Sequence, residues 1–186
     1  MRLILLALGL FTPVVTACSD PNALQPATSA NRVDTVDVFS LSGTPVWEPS
    51  AYATLERRAV RLDQTNAADF AYEMMTSGRR AFLPGALVGT PGSAGVDPGF
   101  LRTTLPFDSI TVAELNGYVT RDTVDIAQGD VFYVRGRISA ICFLGLPTYG
   151  KLEVLSFDDD VRTVRFQVLV NTNCGYKSLE PGLPKH

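Results

Sequence analysis

Residues 151–170 read KLEVLSFDDDVRTVRFQVLV and contain two apolar alternations on either side of three aspartates. In the first alternation Leu152 and Val154 are separated by a charged residue, and in the second every other residue from Val164 to Val170 is apolar. This period of two is typical of antiparallel strands with one buried face and one wet face. The stretch therefore predicts a β-hairpin that packs one face into the core.

Shorter segments with a similar pattern lie on the N-terminal side of this hairpin. They cover residues 33–41, 58–62, 69–75, 81–83, 123–126 and 131–135. Segment 69–75 also fits a short helix with Asn66 as its N-cap, but a turn at 76–78 would join it to 81–83 as a hairpin, so we favour the strand. Many short strands separated by turns predict an all-β fold, either an antiparallel β-sandwich or a partly open barrel.

Residues 89–99 hold four glycines and two prolines, a composition that predicts a long loop. A domain boundary at this loop would leave an N-terminal piece of about 55 residues, which is small for independent stability. We therefore expect one β-rich domain over residues 33–186, with the loop inside it.

The N-terminus has the pattern of an export signal. Arg2 precedes an uncharged apolar run over residues 3–11, and Val15-Thr16-Ala17-Cys18 follows shortly after it. An apolar core of this length is typical of a signal peptide, because a membrane-spanning helix needs about 20 residues. The Val15-Thr16-Ala17-Cys18 segment resembles the bacterial lipobox, in which the signal is removed directly before a cysteine that carries lipid.

The lipobox resemblance implies that residues 1–17 are a signal peptide and that cleavage occurs before Cys18. It also implies a diacylglyceryl thioether on Cys18 and a further acyl chain, such as palmitate, on its amino group. Two or more chains anchor a protein stably. By analogy with enteric bacteria, Ser19 after the cysteine favours the outer membrane. The alternative is an ordinary cleaved signal in which Cys18 is incidental.

Residues 19–32 are rich in Ser, Pro, Ala, Asn and Thr and have no apolar pattern. Such a composition is typical of a flexible connection between an anchor and a folded domain. We therefore expect a lipidated, flexible tether over residues 18–32.

Two cysteines, Cys142 and Cys174, remain once Cys18 is assigned to lipid. In an exported chain the pair predicts a disulfide bond, which should stabilise the fold by about 3 to 4 kcal/mol on the chain-entropy model. The alternative is two buried free thiols. Two thiolates without a nearby histidine do not complete a zinc site.

Composition and charge exclude several classes of function. The chain is 46% apolar and 19% charged, which is typical of a globular protein, and its formal net charge is −3. Its longest basic clusters are arginine pairs, so we expect no nucleic-acid binding. The one histidine is the terminal His186, which disfavours the usual triads, zinc sites and haem ligation. The sequence therefore predicts no catalytic, cofactor-binding or metal-binding residue.

Three local features allow both a structural and a functional interpretation. Asp158-Asp159-Asp160 fits a turn, or part of a calcium site if further oxygen ligands are supplied. Trp47, between Pro45 and Pro49, would plug the end of the core or be offered to a partner. Residues 171–176 would form a turn anchored by the disulfide or a presented recognition loop. We favour the structural interpretation in each case.

Residues 131–170, with Tyr149-Gly150-Lys151-Leu152, resemble the C-terminal strands of HmuY-like haem-binding lipoproteins. The resemblance implies a β-rich lipoprotein, although the paired histidine ligands of that family are absent from this chain. We expect a membrane-anchored, non-enzymatic binding or accessory module of the cell envelope, with an envelope protein or small ligand as its partner. The alternatives are a periplasmic hydrolase that uses Asp or Glu and a structural subunit of an envelope complex.

Overall fold

The computed structural model describes residues 23–138, 140, 142 and 144–184. The described residues form β-strands and three short 3-10 helices, so the predicted all-β fold is confirmed. The strands are β1 (Val33–Phe39), β2 (Ala51–Ala53), β3 (Arg58–Val60), β4 (Phe70–Met74), β5 (Arg80–Pro84), β6 (Gly99–Thr103), β7 (Val124–Asp125), β8 (Val131–Ile138), β9 (Pro147–Asp158) and β10 (Thr163–Asn171). The 3-10 helices are Leu62–Gln64, Gly85–Val88 and Phe107–Ser109.

The strands build two antiparallel sheets of five strands each. The first sheet has the order β1-β10-β9-β8-β6 and the second has the order β3-β2-β4-β5-β7. The predicted hairpin forms the centre of the first sheet, where β9 pairs with β10. Residues of both sheets share one buried cluster, so the sheets pack face to face. The choice between sandwich and barrel is thereby decided in favour of the β-sandwich.

Aromatic rings dominate the core between the sheets. Phe70 and Phe82 of the second sheet contact Phe100 and Phe166 of the first, with ring centroids 4.9 to 5.9 Å apart. Aromatic pairs of this kind contribute about 0.5 to 1.5 kcal/mol beyond the burial of their area. The alternation in the hairpin is confirmed, because the alternating apolar residues lie in this core: Leu152, Val154, Val164, Phe166, Val168 and Val170.

Part of the outer face of the first sheet is covered as well, and the prediction of a wet face is wrong for that part. Elsewhere on this face the side chain of Arg165 is 55% exposed, as predicted. The segments that follow β6 and β10 lie over it, where Phe107, Ile110 and Leu179 pack with Leu169 in a second buried cluster. Lys151, which the alternation assigned to solvent, is only 3% exposed. The covering segments are irregular, so no periodic pattern in the sequence reveals them.

The two ends of the first sheet, measured along its strands, lie far apart. Its strand β9 has 12 residues and therefore spans roughly 36 Å. At one end, which we name the disulfide end, Cys142 and Cys174 form the predicted bond with their Cα atoms 5.4 Å apart. At the other end, which we name the tip, the loop between β1 and β2 meets the β9–β10 turn at residues 158–162.

The segment before β1 lies against the disulfide end. The side-chain Oδ1 of Asn173 accepts hydrogen bonds from the backbone N–H groups of Thr28 and Ser29, at 2.8 and 3.0 Å. Within the tether expected over 18–32, the backbone groups of Thr28 and Ser29 are therefore held by a distant loop. Residues 18–22 lie outside the described residues.

Candidate functional site

Large apolar side chains are exposed at the tip, on a tight turn of residues 45–48 that we name the Trp47 turn. The backbone N–H of Glu48 donates to the carbonyl oxygen of Pro45 at 3.0 Å, which places Val46 and Trp47 at the two central positions. Their exposed fractions are 78% and 65%. Gly, Asn, Asp, Pro and Ser usually fill such positions, so an apolar pair there is unusual. The interpretation of Trp47 as a plug of the core is wrong.

Hydrogen bonds hold the base of the Trp47 turn. The backbone N–H of Phe39 donates to the carbonyl oxygen of Pro49 at 2.9 Å. Across the tip, the Nε of Arg162 donates to the carbonyl oxygen of Ser42, also at 2.9 Å. A loop that is already held in one conformation loses little conformational entropy when it binds a partner.

Among the three aspartates of the β9–β10 turn, Asp158 has the turn-forming role that we favoured. Asp158 Oδ1 accepts hydrogen bonds from the backbone N–H groups of Asp160 and Val161, at 3.1 and 3.3 Å, which stabilises the turn. Asp159 forms a bidentate pair with Arg80, at 2.8 and 2.6 Å. These hydrogen bonds hold the pKa of the Asp159 carboxyl below its ordinary value. Within the described residues, no group of three or more His, Cys, Asp or Glu is placed to hold a metal ion.

Two depressions lie on either side of Phe39 and Val161 at the tip. The first, of about 290 Å³, separates the Trp47 turn from the β9–β10 turn and is lined by Glu48 and Asp160. The second, of about 410 Å³, lies along the β9–β10 turn and includes Phe157. The tip thus combines exposed apolar side chains, concave surface and carboxylates.

A third depression, of about 180 Å³, lies at the disulfide end between the segment before β1 and residues 171–176. The backbone N–H of Tyr176 donates to Asn173 O at 3.1 Å, so the predicted turn is present. The hydroxyl of Tyr176 donates to the carbonyl oxygen of Gln25 at 2.9 Å. The side chains of this turn therefore hold the segment before β1 in place.

A buried carboxylate joins the two sheets near the disulfide end. Asp69, which is 1% exposed, accepts hydrogen bonds from the backbone N–H and the hydroxyl of Thr54, at 2.7 and 2.6 Å. Its other oxygen accepts from the backbone N–H and the Nε of Arg137, at 3.0 and 3.1 Å. A Cβ on Gly136 would lie 2.3 Å from the Thr54 hydroxyl oxygen, so only glycine permits this close approach. We name this group the Asp69 clamp.

Lys151 is a buried cation beneath the segment that covers the first sheet. Its Nζ donates to the carbonyl oxygens of Phe107 and Ile110, at 2.9 and 2.8 Å, and lies 4.6 Å from the centroid of the Phe107 ring. Burial lowers the pKa of Lys151 below its ordinary value, although the charges of Asp108 and Glu180 oppose this shift. The lysine thus fastens the covering segment to the sheet.

This lowered pKa predicts how pH changes the contribution of Lys151 to stability. Below the lowered pKa both the folded and the unfolded state hold the proton on Lys151, so the cost of burying the charge is present in full. Between the lowered pKa and the ordinary value of 10.5, only the unfolded state holds the proton on Lys151. Because the unfolded state then binds more protons, the stability of the natural protein relative to Lys151→Met should rise with pH in this range.

Urea unfolding of both proteins at about pH 7 and about pH 10 measures this difference. Ionisation of buried tyrosines, including Tyr72 with its pKa raised by burial to about 12, affects both proteins alike and cancels. An equal change of stability with pH in the two proteins would contradict the role assigned to Lys151.

Cys18, the predicted lipidation site, lies outside the described residues, so lipidation and signal cleavage there stay predictions. His186, for which we predict no role, lies outside them as well. Over the part of the chain that the structure describes, no helix combines the length and apolar character needed to cross a membrane. Comparisons with protein-family models, with curated proteins and with solved structures find no match to this chain.

Proposed function

We propose that this protein is a non-enzymatic lipoprotein of the cell envelope that carries an all-β recognition domain on a lipid anchor at Cys18. In this proposal the domain offers its tip to an envelope protein or a small ligand. The outer membrane is the favoured location.

The observation that carries the proposal is the separation of the N-terminal segment from the tip. Residues 25–32 lie at the disulfide end, whereas the Trp47 turn lies beyond the far end of β9, roughly 36 Å away. The chain from Cys18 to Gln25 spans at most roughly 25 Å when fully extended. A lipid on Cys18 would therefore keep the disulfide end near the bilayer and leave Trp47 outermost.

The buried charged groups support binding rather than catalysis. Asp69 already accepts four hydrogen bonds, and Lys151 donates to two backbone carbonyl oxygens. An acid or base catalyst needs a hydrogen-bonding position that faces the substrate. The Trp47 turn, in contrast, leaves a large amphipathic side chain in solvent, and such residues are frequent anchors of protein interfaces.

The test compares intact mass and membrane fractionation of the natively expressed protein with those of Cys18→Ser. We expect the natural protein to begin at Cys18, to carry acyl mass and to sediment with membranes, because two or more acyl chains anchor stably. The variant should lack the lipid and leave the membrane fraction. Ser19→Ala is the matched control, and it should keep both the acyl mass and the membrane association.

A natural protein that is cleaved after Ala17, carries no acyl mass and stays in solution would contradict the anchor. In that case the domain would be a secreted protein with a free thiol at Cys18.

A further inference from the structure

Two carboxylates lie close to the exposed apolar residues of the tip. Glu48 lies on the Trp47 turn and Asp160 lies on the β9–β10 turn, and both line the depression between the two turns. Neither carboxylate has an ion-pair or hydrogen-bond partner among the described side chains. Both charges are therefore available to a ligand.

The cations near the tip are already engaged elsewhere. Arg80 is paired with Asp159 and Arg165 is paired with Asp37. The guanidinium of Arg162 donates to the backbone carbonyl oxygens of Ser42 and Met74. Arg162 keeps its positive charge, because its partners are neutral carbonyl oxygens, and it lines the same depression as Glu48 and Asp160. These two carboxylates outnumber it, and Asp158 beside them forms no ion pair among the described residues. The net charge around the depression is therefore negative.

We propose that the tip binds an extended polypeptide segment that carries lysine or arginine beside apolar side chains. The apolar side chains would pack on Val46 and Trp47, and the basic ones would reach Glu48 and Asp160 across the depression. An aromatic anchor flanked by complementary charge is a frequent arrangement in protein interfaces. The inference rests on the proposed function only in placing this partner in the envelope.

The negative charge of the tip favours a basic polypeptide over two other possible occupants, a lipid bilayer and a second copy of this chain. A bilayer with anionic headgroups attracts basic segments and repels acidic ones, so an acidic tip is a poor membrane-binding surface. A second copy of this chain would bring the same acidic tip on a chain of formal net charge −3. A polypeptide with basic and apolar side chains complements both the exposed tryptophan and the nearby carboxylates.

The test is a titration of the purified full-length Cys18→Ser chain with three short synthetic peptides of equal length. One alternates lysine with leucine, one glutamate with leucine, and one lysine with serine. Trp47 is the sole tryptophan, so its fluorescence reports contact at the tip directly. We expect a saturable blue shift with the lysine–leucine peptide and binding at least about tenfold weaker with the other two. Added salt should weaken the binding, because the charges are exposed.

Variants separate the charge of the tip from its apolar part. Glu48→Gln with Asp160→Asn should weaken binding of the lysine–leucine peptide about three- to tenfold at low salt. The matched control is Glu114→Gln with Asp122→Asn, which removes the same charge from exposed positions outside the tip and should leave the affinity unchanged. Trp47→Ser, followed through a fluorescent label on the peptide, should weaken binding about tenfold or more.

Equal affinity of the lysine–leucine peptide for the natural tip and for the Glu48 and Asp160 double variant would overturn the inference. A shift of Trp47 fluorescence with phosphatidylglycerol vesicles but not with the peptide would also overturn it, in favour of a lipid surface. A shift of Trp47 fluorescence with protein concentration alone would overturn the inference in favour of self-association. The titration needs no lipid, so a negative titration would contradict the peptide-binding inference without affecting the proposed anchor at Cys18. Conversely, absence of the anchor would not affect the result of the titration.

Discussion

Replacing Asp69 with alanine is expected to destabilise the domain by about 3 to 5 kcal/mol, because it leaves one half of a buried ion pair without its partner. The Asp69 clamp links the segment after β2, the residue before β4 and strand β8 through four hydrogen bonds. After the change, the partly buried guanidinium of Arg137 would have only backbone carbonyl oxygens around it. Urea unfolding followed by circular dichroism measures the loss.

The matched control for this change is Asp37→Ala. Asp37 also forms a bidentate pair with an arginine, Arg165, at 2.8 Å for both contacts. Its side chain is 45% exposed, and exposed pairs contribute at most about 1 kcal/mol. If Asp69→Ala cost no more than Asp37→Ala, the stabilising role assigned to the Asp69 clamp would be wrong.

Removing the disulfide through Cys142→Ser and Cys174→Ser is expected to destabilise the domain by about 3 to 4 kcal/mol. The bond closes a loop with a sequence separation of 32 residues, and its loss returns that conformational freedom to the unfolded chain. The same unfolding measurement, made in a Cys18→Ser background, gives the size of the loss. An unchanged unfolding midpoint would show that the bond adds no stability.

The loss of the disulfide should also have a local effect. Cys174 follows Asn173, whose side chain holds the backbone of Thr28 and Ser29, so a looser turn should release the segment before β1. We expect faster hydrogen exchange at the amides of Thr28 and Ser29 and little change in β4 and β5. Uniform acceleration of exchange over the whole domain would indicate global destabilisation without this local release.

The hairpin was predictable because its signal is local. Alternation over residues 151–170 predicts both strands, and the cysteine count with the predicted export signal predicts the disulfide. Strands β2 and β6 were missed for a physical reason. Ala51–Ala53 has three residues, too few for a period to show, and β6 begins at Gly99, inside the glycine-rich stretch that predicted only a loop.

The polar contacts were not predictable, because they join residues that are far apart in the chain. Asp69 and Arg137 are separated by 68 positions, and nothing near either residue indicates the other. Lys151 had the spacing of a solvent-facing residue, and only the irregular segment around Phe107 buries it. Trp47 was misassigned because its neighbouring prolines predict a loop but not the direction in which the side chain points.

The pairing of β1 with β10 has a mechanical consequence. Strand β1 runs from the disulfide end towards the tip and is paired over seven positions, from Val33 with Leu169 to Phe39 with Thr163. Tension between a membrane anchor and a partner held at Trp47 would act nearly parallel to this strand. Because interstrand hydrogen bonds are perpendicular to the strands, they would be loaded together in shear rather than opened in sequence. The β1–β10 ladder would then act as a stiff coupling that transmits force from the partner to the bilayer.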